Sequence, residues 1–218
     1  AKLEKPFDEI AVSAACVAKA EPGTKYYGMT QEEILDQWHT KRDKSSVMGN
    51  GLDTYIQSVL NNKPKPIMDD QKLVNKCIQF DRLKTEVIDA FDLKTVGTEI
   101  WVNSAKYGIR GRIDALFTHK EDSLLIVDWK NADELKVNTF ERLLGPCDTF
   151  IKSDMNKYTL QVYIYRYILE EEFGFKPTFV RIANIIEYEY KFMKPAFEYD
   201  KSFMESVIDF AINKIENI

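Results

Sequence analysis

Two aspartates and a lysine, Asp114, Asp128 and Lys130, stand in the apolar stretches "GRIDALF" and "SLLIVDWK", where apolar residues would ordinarily finish a core strand. Strand side chains alternate, so Asp128 and Lys130 share one face while Val127 and Trp129 take the other. By the same rule Arg110, Arg112 and Asp114 share a face, opposite Ile109, Gly111, Ile113 and Ala115. If the strands pair as a hairpin through "HKED", the two carboxylates come within reach of one ion. Facing carboxylates repel, and their approach is costly unless positive charge lies between them. Mg²⁺ or Mn²⁺ suits that place, because one or two carboxylates plus waters and phosphates are the usual magnesium set. Such an ion polarises a phosphodiester and supplies hydroxide at neutral pH. Lys130 can then orient or deprotonate the attacking water, or stabilise charge growing on the phosphorane. A solvated hairpin also carries Asp/Lys ladders with no chemistry, and a short D-x-K pattern alone does not separate the two.

The elements that must position these groups are legible as periodicities. Thr30 and Glu33 in "MTQEEILDQW" form a capping box, and Ile34, Leu35 and Trp38 begin a helix running to about Lys44. The small residues of "SSVMGNG" read as an interruption, after which Leu52, Tyr55, Ile56, Val59 and Leu60 mark a second helical segment ending near "NNKPKP". Leu73, Val74, Cys77, Phe80, Leu83 and Val87 predict a third. "GTEIWVNS", "YGIRGRIDALF" and "SLLIVDWK" are β-branched or aromatic runs separated by turn-like "AKYG" and "HKED", hence three consecutive antiparallel strands. Residues 131–156 read as irregular; "NKYTLQVYIYRYILEEEFG" is a helix stopping at Gly174, "PTFVRIANIIEYEYKF" returns to strand, and "KSFMESVIDFAINKI" is a terminal amphipathic helix. The expected fold is therefore mixed α/β, a central sheet flanked by helices.

Composition narrows the alternatives. Over 218 residues, 44% hydrophobic and 30% charged, the chain matches an ordinary globular domain. The expected organisation is one unit: residues 1–92 mainly helical, 93–195 the core and 196–218 a terminal helix. No long apolar run and no basic-then-apolar start are present, which predicts an intracellular, cytoplasmic protein without membrane attachment. Cys16, Cys77 and Cys147 lack metal-site spacing and read as reduced, two of them core. A net charge of -5 argues against a broadly basic surface but leaves room for a local basic groove beside an acidic site.

The stretches "GRID" (residues 111–114), "LLIVDWK" (124–130) and "QVYIY" (161–165) occur in an order and spacing that resemble the PD-(D/E)XK nuclease superfamily, and within it the RecB-like exonucleases of phage, CRISPR-associated and mitochondrial type. The resemblance spans roughly residues 30–187. It implies a restriction-endonuclease-like αβββαβ core, with Asp114, Asp128 and the backbone carbonyl of Trp129 as metal ligands and Lys130 as the catalytic lysine. It also implies that Gln161 and Tyr165, four apart and so on one helix face, hold the lysine or a nucleic-acid backbone. Without the resemblance, that helix is one that packs by Leu160, Ile164, Tyr167 and Ile168 with Gln161 and Tyr165 at its edge. Glu99, on the preceding strand, is the expected third carboxylate, with an ion pair to Arg110 or Arg112 as the competing role. Those arginines can equally contact phosphate.

The departure from the pattern lies upstream. RecB-like members place a metal-binding histidine in a stretch like G-x-x-x-H, and here "GNGLDTYI" puts Asp53 there. An aspartate can still bind magnesium through oxygen; the alternatives are a helix-terminal acid favoured by the macrodipole or an engineered change. His39 and His119 read as ordinary surface or partly packed residues. Residues 131–157, with Lys136, Arg142, Lys152 and Lys157, are long enough to cover an entering strand, and a few of the many aromatics can stack on unpaired bases. The expected activity is a Mg²⁺- or Mn²⁺-dependent exonuclease on single-stranded or open-ended DNA, working with replication, recombination or repair proteins. The alternatives are an endonuclease of the same fold, a catalytically weakened DNA-binding module, and a purely structural interaction domain.

Overall fold

The computed structural model describes residues 3–4, 6–120 and 123–216, with backbone alone for 214–216. The elements run α1 (Glu9–Ala18), α2 (Gln31–Leu60), α3 (Gln71–Leu83), β1 (Lys94–Ser104), β2 (Ile109–His119), β3 (Ser123–Lys130), β4 (Val137–Arg142), β5 (Ile151–Ser153), α4 (Asp154–Phe173), β6 (Pro177–Ile185), β7 (Tyr190–Met193) and α5 (Lys201–Glu216). The five-stranded sheet has the order β1-β2-β3-β6-β7. It is mixed: β3 and β6 are parallel, joined by the long crossover through α4, and the other neighbours are antiparallel.

Each face of the sheet carries its own core. On one side Leu52, Tyr55 and Ile56 of α2 and Leu73, Cys77 and Phe80 of α3 pack on Phe117, Leu125, Val127 and Trp129. On the other, Leu160, Val162, Tyr163 and Ile168 of α4 and Met204, Val207 and Ile208 of α5 pack on Ile113, Leu116, Ile126 and Ile182. The mixed α/β expectation holds: a five-stranded sheet is covered by helices on both faces.

The helical reading of residues 31–60 needs one correction. There is a single helix of 30 residues, starting at the capping box of Thr30 and Glu33 and crossing "SSVMGNG" unbroken. Interior glycine costs a helix about 1 kcal/mol relative to alanine. Here the missing side chains make room for neighbours: a Cβ at Gly49 would stand 3.2 Å from Nδ2 of Asn131, and one at Gly51 2.6 Å from a Leu73 methyl. Tertiary packing thus holds a segment that local propensity would interrupt.

Four further differences follow. Helix α3 passes into a π-helical turn at Lys84–Asp89. Residues 131–156 are not irregular throughout, since β4 and β5 form a small antiparallel ribbon. The single strand expected after α4 is two, β6 and β7, reversed by a turn in which the Ile186 N–H donates to the Glu189 carbonyl at 3.0 Å. An unforeseen helix, α1, docks on α2 through Gln31, whose side chain donates to the Ile10 carbonyl and the Ser13 hydroxyl, 3.0 Å each. Of the "HKED" turn, Glu121 and Asp122 lie outside the described residues. Among the described residues no helix is long and apolar enough to cross a membrane. Cys77 and Cys147 are buried and Cys16 half-buried, and all three are free.

Candidate functional site

Strand β3 places Asp128 and Lys130 on the α4 side of the sheet, and Val127 and Trp129 in the opposite core, as alternation requires. Strands β2 and β3 pair from His119↔Ser123 to Ala115↔Val127. One step on, Asp114 falls opposite Asp128, and there the ladder stops. The Asp114 carboxylate turns into the gap and accepts the Trp129 backbone N–H at 2.8 Å.

At this level both strands of the β1–β2 ribbon exchange faces. Thr98 and Ala115 pair on the α2 side, where the Asn61 side chain donates to the Thr98 hydroxyl. Ile100 and Ile113, the next pair with its side chains at even spacing, pack instead in the α4 core. Regular alternation through Ala115 is therefore corrected: Ile113 and Ala115 lie on opposite faces. The break coincides with Glu99, which has φ 54° between those two pairs. Such a backbone costs a non-glycine residue about 1–3 kcal/mol and is characteristic of functional sites. Beyond the break Arg112 faces away from α4, and its Nε lies 2.6 Å from Glu99 Oε2. Of the two arginine partners expected for Glu99, Arg112 is the one engaged.

The electrostatics follow from crowding of acids. Asp128 is 1% exposed, and both its carboxylate oxygens are buried without a hydrogen-bond partner. Lys130 Nζ lies 2.7 Å from Oδ2 of Asp128 and forms an ion pair with it. Burial raises the Asp128 carboxyl to about 7, against the lowering field of Lys130 and with a further push from Asp114. Burial likewise raises Asp114, opposed by Lys130 and by the Trp129 N–H. On α2, Asp53 is raised to about 6 by burial and then by the charges of Asp114 and Glu99, with Lys130 and Arg112 pulling it down. Asp53 thus feels the same charges as the sheet acids, from the other side of the break. Glu99 is raised by burial too, against the pull of Arg112.

Helix α4 supplies the polar support. Lys130 Nζ donates to Gln161 Oε1 at 3.3 Å, and Gln161 Nε2 donates to the Tyr165 hydroxyl at 2.7 Å. Tyr165 is 9% exposed, so it is core and not the helix edge. The glycine of "GRID" has its reason here, because a Cβ at Gly111 would drive into the Tyr165 ring. Sequence reasoning missed Tyr158, one turn before Gln161, whose ring centroid lies 4.7 Å from Lys130 Nζ. It also missed the brace on the turn after β3. There Asn184 bonds both the N–H and the carbonyl of Ala132, at 3.0 and 2.8 Å, while buried Lys76 donates to the Asn131 carbonyl at 2.7 Å. Neither had a local signal, since the partners are far apart in sequence.

The residues fit a divalent cation in one respect. A buried carboxylate, ion-paired with Lys130 at 2.7 Å and opposite a second carboxylate, is the donor type for a hard cation. Among the described residues no three His, Cys, Asp or Glu side chains stand close enough together to ligate one ion, so water and phosphate oxygens would complete the set. His39 instead meets Glu9 at 3.2 Å, and His119 contacts the Phe91 carbonyl at 2.9 Å. A cleft of about 1180 Å³ opens nearby, with Met48 of α2, Lys72 and Lys76 of α3, and Asn131 in its wall. It begins one residue past Lys130 and does not contain the carboxylates. In residues 131–157, Lys152 and Lys157 are tied to Glu141 and Asp154, and Arg142 to the Thr149 carbonyl.

No family model matches the chain, and no curated protein does. Among solved structures it is similar to a crystal structure from Eubacterium rectale named "Putative exonuclease", at 11% identity and a TM-score of 0.42, over 98% of this chain and 67% of that one. So distant a likeness adds no weight to the geometry.

Proposed function

We propose that this chain is a divalent-cation-dependent nuclease that hydrolyses phosphodiester bonds, acting as an exonuclease on single-stranded or open-ended DNA. The observation that carries the reading is the buried Asp128 carboxylate, facing the Asp114 position and held 2.7 Å from the Lys130 ammonium. A fold does not keep so costly an arrangement for stability alone. Asp114, Asp128 and the Trp129 carbonyl would hold Mg²⁺ or Mn²⁺, with Asp53 and Glu99 acting on it through water. When bound, the ion polarises the phosphodiester and acidifies a water.

The chain's own residues have separate tasks. Lys130 places a positive charge where the attacked phosphate gains negative charge, and can accept or donate a proton at the attacking water. Gln161 and Tyr158 restrict the lysine's ammonium, and Tyr165 fixes Gln161. Arg110 and Arg112 offer guanidinium groups to the phosphates of an approaching strand.

The test is release of nucleotides from end-labelled single-stranded and duplex DNA with Mg²⁺, Mn²⁺ or EDTA. Cation-dependent release that Lys130→Ala and Asp128→Asn abolish is expected. Release no greater than that of Lys130→Ala with either metal would sink the proposal. A second reading, a DNA-binding module with a weakened site, is favoured by the lack of three converging ligand side chains among the described residues. It requires binding that persists in EDTA and no cleavage.

A further inference from the structure

The β1–β2 ribbon reaches past the site. β1 and β2 remain paired to Ser104↔Ile109, whereas β2 and β3 stop pairing at Ala115↔Val127. One face of this extension packs against the α4 core through Ile100, Val102, Ile109 and Ile113. The opposite face carries Trp101, Asn103, Arg110 and Arg112, all exposed. Trp101 is 61% exposed, an unusual place for the largest apolar side chain on a strand that has a core available on its other face.

Its surroundings are specific. Trp101 pairs with Arg112 and Asn103 with Arg110 across the ribbon. The two guanidinium carbons lie 5.2 Å (Arg110) and 5.7 Å (Arg112) from the indole centroid, so the ring sits beside two positive charges. Arg112 is tied to Glu99, which shares the break in the ribbon with Asp114. Trp101 is two residues beyond Glu99, about 6.6 Å along a strand at 3.3 Å per residue. That is a reach of one to two nucleotides.

We propose that Trp101, between Arg110 and Arg112 on the uncovered face of the ribbon, is a stacking platform for one unpaired base of a nucleic-acid strand whose backbone continues to the Asp114 and Asp128 site. The platform deepens the nuclease reading and rests on it for the strand's direction toward the acids. Charge decides the occupant: two arginines beside an aromatic face complement a polyanion that carries flat rings. The base must be unpaired, because within a duplex both its faces are already covered by neighbours. Phosphates on either side of it meet Arg110 and Arg112, and the indole supplies affinity indifferent to sequence.

The experiment measures binding of the full chain to fluorescein-labelled oligothymidylate and oligouridylate of twelve nucleotides by anisotropy, with Ca²⁺ replacing Mg²⁺. Oligonucleotides with a single abasic site at each position are included, and nucleotide release with Mn²⁺ is followed in parallel. Trp101→Ala is expected to weaken binding roughly 5- to 150-fold, and Trp101→Phe less. One abasic position should reproduce the loss in the unaltered protein and cost nothing further in Trp101→Ala. The salt dependence of binding should be the same in both, since stacking releases no counterions. Binding by Trp101→Ala within twofold of the unaltered protein, or the same abasic profile in both, overturns the platform. So does a Trp101→Ala defect confined to capture of a protein partner. Cleavage by the unaltered protein without any Trp101 dependence overturns the platform alone; the Trp101 signature without Mn²⁺-dependent cleavage supports it and overturns the nuclease reading.

Discussion

The Asp114 carboxylate accepts the Trp129 backbone N–H at 2.8 Å, where a continuing β2–β3 ladder would present a backbone carbonyl. The sheet therefore parts just where Asp114 and Asp128 oppose each other. The parting frees the start of β2 to follow β1 alone, and beside it the buried Asp128 carboxylate has the Lys130 ammonium at 2.7 Å as its charge partner. A single side chain both ends the pairing and joins the acidic site.

Gly111→Ala should lower thermal stability by about 1–3 kcal/mol, or roughly 5 °C, because the new methyl meets the Tyr165 ring. Activity should fall further than stability, since moving Tyr165 displaces Gln161 from Lys130. Paired with Tyr165→Leu, much of the loss of stability should return, and a double-mutant cycle in thermal melts reads the coupling.

Stability without divalent cations should fall as pH rises. The folded-state carboxyls of Asp128 and Asp53 sit near 7 and 6, above about 3.9 for an aspartate in the unfolded chain. Between those values the folded state binds more protons than the unfolded one, so rising pH favours unfolding from about pH 4 to about pH 7. Urea midpoints in EDTA across that window should decline, and Asp128→Asn should flatten the decline. Mn²⁺ at neutral pH should restore stability by mass action.

Asp53→Asn removes one of the mutually repelling acids. In EDTA at neutral pH it should stabilise the protein by about 1–2 kcal/mol, discounted for the partial exposure of Asp53. If Asp53 takes part in holding the cation, the Mn²⁺-induced rise in melting temperature shrinks in this variant. An unchanged rise would confine Asp53 to an electrostatic role.

Asn184→Ala leaves the N–H and the carbonyl of Ala132 without their partners. A cost of about 1–3 kcal/mol is expected. Because that turn directly follows Lys130, nucleotide release should drop by more than tenfold at a temperature where circular dichroism shows the protein fully folded. Asn184 touches no reacting group in the proposal, so its effect should fall on kcat with little change in strand affinity.

Much of this was legible in the chain itself, for reasons that are local. Strands β1 to β3, helix α4 and its stop at Gly174 follow from periodicity and capping, which depend on neighbours a few residues apart. The contact of Lys130 with Gln161 was one of two roles implied for Gln161 by the motif resemblance, and neither spacing nor periodicity required it. Asp53 stood in a recognisable place, yet only the fold set it among the charges of Asp114 and Glu99.

What the tertiary structure decided are contacts between residues distant in sequence. The unbroken α2 depends on Asn131 and Leu73 filling the space beside Gly49 and Gly51. The exchange of faces at Glu99 and Asp114 cannot be read from either strand, because alternation in each is regular until the ribbon bends against its neighbours. Types of side chain and their spacing determined which chemistry was available. Packing determined which carboxylates were buried close to one another, and crowding of buried acids is what gives such a site its appetite for a cation.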